Sequence, residues 1–162
     1  MTRRGSLAYY FAAIVCGSFF IAAAYYAHSV WMFGAGERWA RDFLFAYFLA
    51  VIGGFLPTLL FAFLLRRAMR AMHWQAAWQW LVAGAVIGMA VLWALTRLGY
   101  FIETTHFSAG MQLVKSVLMF SLVGPMMLAV TPVWLPIPAF AATAWVLHRI
   151  HRAFDPPAEP NS

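Results

Sequence analysis

Charge is what this chain has least of, and acid least of all. Five of its 162 residues are Asp or Glu and eleven are Lys or Arg, so charged residues make up 10%, whereas a soluble domain averages about 25%. With 64% hydrophobic residues beside so few charges, the chain reads as an integral membrane protein. A single cysteine, Cys16, excludes an internal disulfide. Val15 before it is not the small residue a lipid-attachment site prefers, so this thiol reads as core packing.

The apolar segments hold no carboxylate. That disfavours a proton-driven pump or antiporter, which needs a titrating group within the membrane. It also leaves Glu103-Thr104-Thr105-His106 without the further carboxylates of a di-iron centre. No serine stands in a nucleophile-elbow context or has a histidine at a recognisable spacing, and isolated serines in apolar helices usually bond back to their own backbone. No segment is left for a soluble catalytic domain, so no enzymatic activity is expected. A net charge of +6 would suggest nucleic acid in a soluble protein; here the cations flank apolar runs, and anionic lipid is the expected partner instead.

What the chain does have is long apolar runs separated by little else. Thr2-Arg3-Arg4 precedes a run from Leu7 to Phe33, the charge layout of a signal anchor. Gly34 to Asp42 forms a loop whose two acids and two bases cancel. A second span covers Phe43 to Leu65, with Gly53, Gly54 and Pro57 predicting a bend or a close approach. Ala46, Ala50 and Gly54, four residues apart, form a candidate packing stripe. A third span runs from about Trp78 to Leu98 and carries Gly84 and Gly88 as a GxxxG pair, suited to close helix contact within the chain or with a partner.

Arg66-Arg67-Ala68-Met69-Arg70-Ala71-Met72-His73-Trp74 is the one run of cations between two long apolar segments. Arg66, Arg67, Arg70 and His73 fall on one side of a continuing helix, and Trp74, Trp78 and Trp80 follow, indoles that favour headgroup depth. Arg66, Arg67, Arg70, Trp74 and Trp78 are the expected lipid-headgroup contacts. From Arg97 to Gly110 a polar loop is expected. Met111 to Leu147 would be about 55 Å long as one helix, too long for one crossing, and Gly124-Pro125 and the prolines at 132, 136 and 138 break it into pieces near 111–130 and 138–153.

Charge decides between two threadings. Five crossings would put five cations inside and six outside; four put seven inside (Arg3, Arg4, Arg66, Arg67, Arg70, Arg149, Arg152) and four outside (Arg38, Arg41, Arg97, Lys115), as the positive-inside rule demands. The expectation is an all-α polytopic transmembrane helical bundle over residues 1–154, of four spans rather than five, with a proline-broken last block, both termini cytoplasmic and a disordered tail at 155–162. A bacterial inner membrane is the expected location.

Among the five histidines, His28 and His106 would both lie near the outer face and His73 with His148 near the inner one, the layout of a two-haem bundle; an outer single haem or chlorin through His28 is the version favoured among these. The inner histidines, His73 and His148, are expected at the water boundary among arginines. The leading functional expectation is a non-catalytic accessory or structural subunit of a larger membrane complex, packing through small-residue helix faces. A small carrier or channel for a neutral or lipidic solute, lined by the break at Gly53 to Pro57, is the alternative. A haem- or pigment-binding electron-transfer subunit is the third.

Overall fold

The computed structural model describes residues 3–34, 39–72, 76–106, 108–122, 131–132 and 134–154. Six α-helices and no strand occur among them: α1 (Arg3–Phe33), α2 (Trp39–Gly53), α3 (Phe55–Met72), α4 (Ala77–Thr104), α5 (Gln112–Ser121) and α6 (Pro136–Phe154), with one 3₁₀ turn at Ala109–Met111. A helix satisfies its backbone polar groups within its own segment, as a span through a bilayer would require. By length and composition α1 (from Gly5) and α4 can cross a membrane, and the bent pair α2 and α3 makes a third span if counted as one.

The bend between α2 and α3 is 66° and has a covalent cause. Pro57 has no N–H for the Gly53 carbonyl four residues back, and its ring crowds that carbonyl. Gly53 and Gly54 stand where the backbone must yield. The ladder resumes at once, with Gly54 N–H donating to Ala50 O and Thr58 N–H to Gly54 O, both at 2.9 Å.

Two boundaries differ from the sequence expectation: α2 begins at Trp39, inside the expected loop of Gly34 to Asp42, and α4 ends later than expected. Helix α4 does not stop near Leu98 but runs to Thr104, so Arg97 to Thr104 is helix and not loop. Nothing in Gly99-Tyr100-Phe101-Ile102 breaks a helix in apolar company, and the Thr104 and Thr105 hydroxyls cap the end by donating to the Tyr100 and Phe101 carbonyls at 3.0 and 2.7 Å. At its start, Ala76 N–H donates to the Gln79 side chain at 3.1 Å, half of a capping box. Among the described residues the last block holds α5 and α6, on either side of a stretch that contains prolines. Pro136 opens α6 at the position where a missing N–H costs nothing. Gly124-Pro125, His73, Trp74 and the tail at 155–162 lie outside the described residues.

Helix α1 and the bent α2–α3 unit lie antiparallel. Tyr26 meets Phe43 edge-on at 5.8 Å, Ser18 donates to Ala50 O at 3.3 Å, Tyr9 to Ala62 O at 3.2 Å and Arg66 to Ser6 at 3.0 Å. Helix α6 packs against both α1 and α4. Trp134 ahead of it meets Trp31 at 6.5 Å, Thr143 lies beside Gly17 and the His148 ring lies tilted against Trp80 at 5.3 Å, so α6 runs opposite to α1 and α4. One end of the bundle therefore gathers the start of α1, the end of α3, the start of α4 and the end of α6, and with them Arg66, Arg67, Arg70, Arg149 and Arg152.

The stripe that holds α6 is Pro136, Ala139, Phe140, Thr143, Ala144, Leu147 and His148, spaced by alternating threes and ones as a helix face requires. It meets the glycine pair of α4. A β-carbon at Gly84 would collide with Ala144, and one at Gly88 with the ring of Phe140. The GxxxG pair thus serves a contact inside the chain, as does the α2 stripe, whose Ala46 and Ala50 are buried.

Candidate functional site

The four-helix seam opens at one place into a cavity of about 30 Å³, lined by Gly17 and Ile21 of α1, Pro57, Thr58 and Phe61 of α3, Val91, Leu92 and Leu95 of α4, and Ala139, Phe140 and Thr143 of α6. It sits immediately past the α2–α3 bend. Pro57 and Thr58 are therefore positioned by the break itself. A water needs roughly 10–15 Å³, so the space admits two waters or one small apolar group. Its polar groups are two threonines of different standing. The Thr143 hydroxyl donates to Ala139 O at 2.8 Å within its own helix, whereas the buried Thr58 oxygen has no partner among the described residues. Gly17 admits Thr58, whose methyl would lie 2.8 Å from a β-carbon there.

A second cluster occupies the arginine-rich end. Trp80, 1% exposed, lies between His148 and His151, with ring centroids 5.3 and 5.4 Å away. His148 is itself only 3% exposed, and its Nδ1 and Trp80 Nε1 are buried without a hydrogen-bond partner among the described residues. On the α1 side of this end, Arg66 lies 5.7 Å from the ring centroids of both Tyr9 and Tyr10, a cation held by two aromatic faces. At the other end, Lys115 of α5 donates to Glu103 O at 3.0 Å.

Family models, curated proteins and solved structures offer no match to this chain. Its chemistry must be argued from its own residues.

The residues singled out in the sequence fall into three groups. Ala46, Ala50, Gly54, Gly84 and Gly88 are buried within the chain. Of the headgroup residues, Arg67, Arg70 and Trp78 are exposed, whereas Arg66 is half-buried and turned onto α1; Trp74 lies outside the described residues. The two outer histidines have different settings. His28 is half-buried on α1, its ring tilted against Trp31 at 6.1 Å and its Nδ1 without a partner among the described residues; His106 is exposed beyond the end of α4. Because α4 ends at Thr104 and Thr105 is extended, Glu103 and His106 do not share a helical face, and the Glu-x-x-His spacing loses its meaning. Among the described residues no three of His, Cys, Asp and Glu gather into a metal-binding group.

His148 corrects the expectation that it stands at the water boundary. Four residues after Ala144 and one after Leu147, it continues the buried α6 stripe. That spacing was the available signal, obscured by Arg149 and Arg152 beside it. Thr58 and Gly17 carried no comparable signal, because their importance arises only where four distant segments meet.

Proposed function

We propose that this chain is a non-catalytic, four-span protein of a bacterial inner membrane, serving as an accessory subunit of a larger membrane assembly. Support for the fourth span comes from α6, which lies along α1 and α4 from the level of Trp31 to that of Trp80 although its histidines and arginines lower its hydropathy. With α6 crossing, the ends carrying Arg66, Arg67, Arg70, Arg149 and Arg152 face the cytoplasm, as the positive-inside rule favours.

The observation that carries the subunit reading is α5. Ten residues are too few for an isolated helix, which is marginal below about 12–15, and none of the ten is buried by the chain. Leu113, Val117 and Phe120 share one apolar face; Leu113 is 76% exposed. Lys115 ties the helix to the end of α4, and the Ala46/Ala50 and Gly84/Gly88 faces are occupied within the chain, so α5 is a surface open to a partner. A photo-reactive residue at Val117 is expected to cross-link to another polypeptide in native membranes, and one at Phe11, exposed on α1, is not. Lipid adducts alone at both positions would sink the proposal.

A second reading rests on the cavity at the bend. An apolar chamber whose Thr58 hydroxyl has no partner among the described residues suits a carrier or channel for a small neutral solute; at about 30 Å³ it does not hold a lipidic one. That protein would remain self-contained on purification in mild detergent, whereas the subunit would bring down stoichiometric partners.

A further inference from the structure

The outward side of α3 and α4 forms a groove of about 580 Å³ whose walls include Leu60, Leu64 and Ala68 of α3 and Ala90 and Ala94 of α4, with Arg67 among its lining residues. On α3 the lining runs from Leu60 to Ala71, about 16 Å along the axis. One leaflet of hydrocarbon is about 15 Å, half of the roughly 30 Å core. The alanines keep the floor low, and Ala90, Ala94 and Arg67 are all exposed.

Charge at the Arg67 end is one-sided. The sequence has no acid between Asp42 and Glu103, and both of these stand at the opposite end of the bundle. Arg66, the neighbouring cation, is engaged by Ser6, Tyr9 and Tyr10. Arg67 is exposed, and in the orientation proposed above it stands near the cytoplasmic end of α3.

We propose that this groove is a binding site for one anionic phospholipid of the cytoplasmic leaflet, with an acyl chain along the α3–α4 trough and the headgroup phosphate on Arg67. The proposal rests on the membrane reading and its orientation, and is independent of what α5 meets. Arg66 and Arg67 thereby divide the work of adjacent arginines: one fastens α3 to α1, the other holds the lipid. A zwitterionic phospholipid fits the trough equally well and carries the same phosphate, but its own cation offsets part of the attraction to Arg67, so it gains less.

Native mass spectrometry of the intact protein, titrated with phosphatidylglycerol or phosphatidylcholine in one detergent, tests this. The first phosphatidylglycerol is expected to bind more tightly than the first phosphatidylcholine. Arg67→Gln should weaken that first phosphatidylglycerol about fivefold, the factor equivalent to the roughly 1 kcal/mol of one near-surface cation, and weaken phosphatidylcholine less. Ala90→Phe, which fills the trough, should weaken the first binding of both lipids. Arg70→Gln, at the same end but off the groove wall, should leave the first site intact. Equal losses from Arg67→Gln and Arg70→Gln would overturn the site in favour of diffuse surface attraction, and an unchanged affinity in Arg67→Gln would overturn it outright. A photo-probe at Ala94 that captures a polypeptide instead of lipid would assign the groove to a partner helix and equally defeat the proposal.

Discussion

Gly84 and Gly88 are the residues on which the packing of this protein turns most sharply. Their spacing in the sequence announced a close helix contact but not its other half, because a GxxxG pair reads the same whether it meets its own chain or another. The other half is Phe140 and Ala144 of α6. Gly88→Leu is therefore expected to destabilise the detergent-solubilised protein by about 1–3 kcal/mol, the usual cost of forced overpacking, seen as a lowered Tm; Val86→Leu, on the exposed side of the same helix, should change it little. Equal effects would mean that α6 is not seated on the glycines. His148 offers a complementary test, since it buries a ring and a nitrogen together. His148→Ala should cost on the order of 2 kcal/mol for the missing ring, while His148→Phe keeps a ring against Trp80 and removes a buried unpartnered nitrogen, so it should fall within about 1 kcal/mol of the parent. A phenylalanine as damaging as alanine would show that the imidazole serves a polar contact.

Among the elements, what was legible in the sequence was what covalent chemistry fixes locally. The bend at Gly53 to Pro57 follows from proline's missing donor and glycine's freedom, whatever surrounds it. The end of α4 and the burial of α6 were not legible in that way. Arg97, Glu103 and two threonines resemble a loop by composition, yet hydroxyl caps let the helix continue; two histidines and two arginines make the end of α6 look interfacial, yet the face between them is apolar. The bend supplies its own test. Pro57→Ala restores a donor to the Gly53 carbonyl and should straighten the unit, lengthening the distance between spin labels at Leu44 and Phe63, both exposed. An unchanged distance would assign the bend to the two glycines alone.

For the whole molecule, the separation of charge matters more than any single group. Eleven cations could not orient the chain if α6 failed to cross, because Arg149 and Arg152 would leave the side that holds Arg66, Arg67 and Arg70. The bundle lays α6 antiparallel to both α1 and α4, an arrangement that composition alone could not reveal, since its contacts join segments far apart in the sequence. The central claim is thus a matter of sidedness. Fusions of paired reporters, one fluorescent only in the cytoplasm and one phosphatase active only outside it, after Met72, Ser108 and Arg152 test it directly. The account predicts fluorescence after Met72 and Arg152 and phosphatase activity after Ser108; Met72 and Arg152 reporting from opposite sides of the membrane would contradict it.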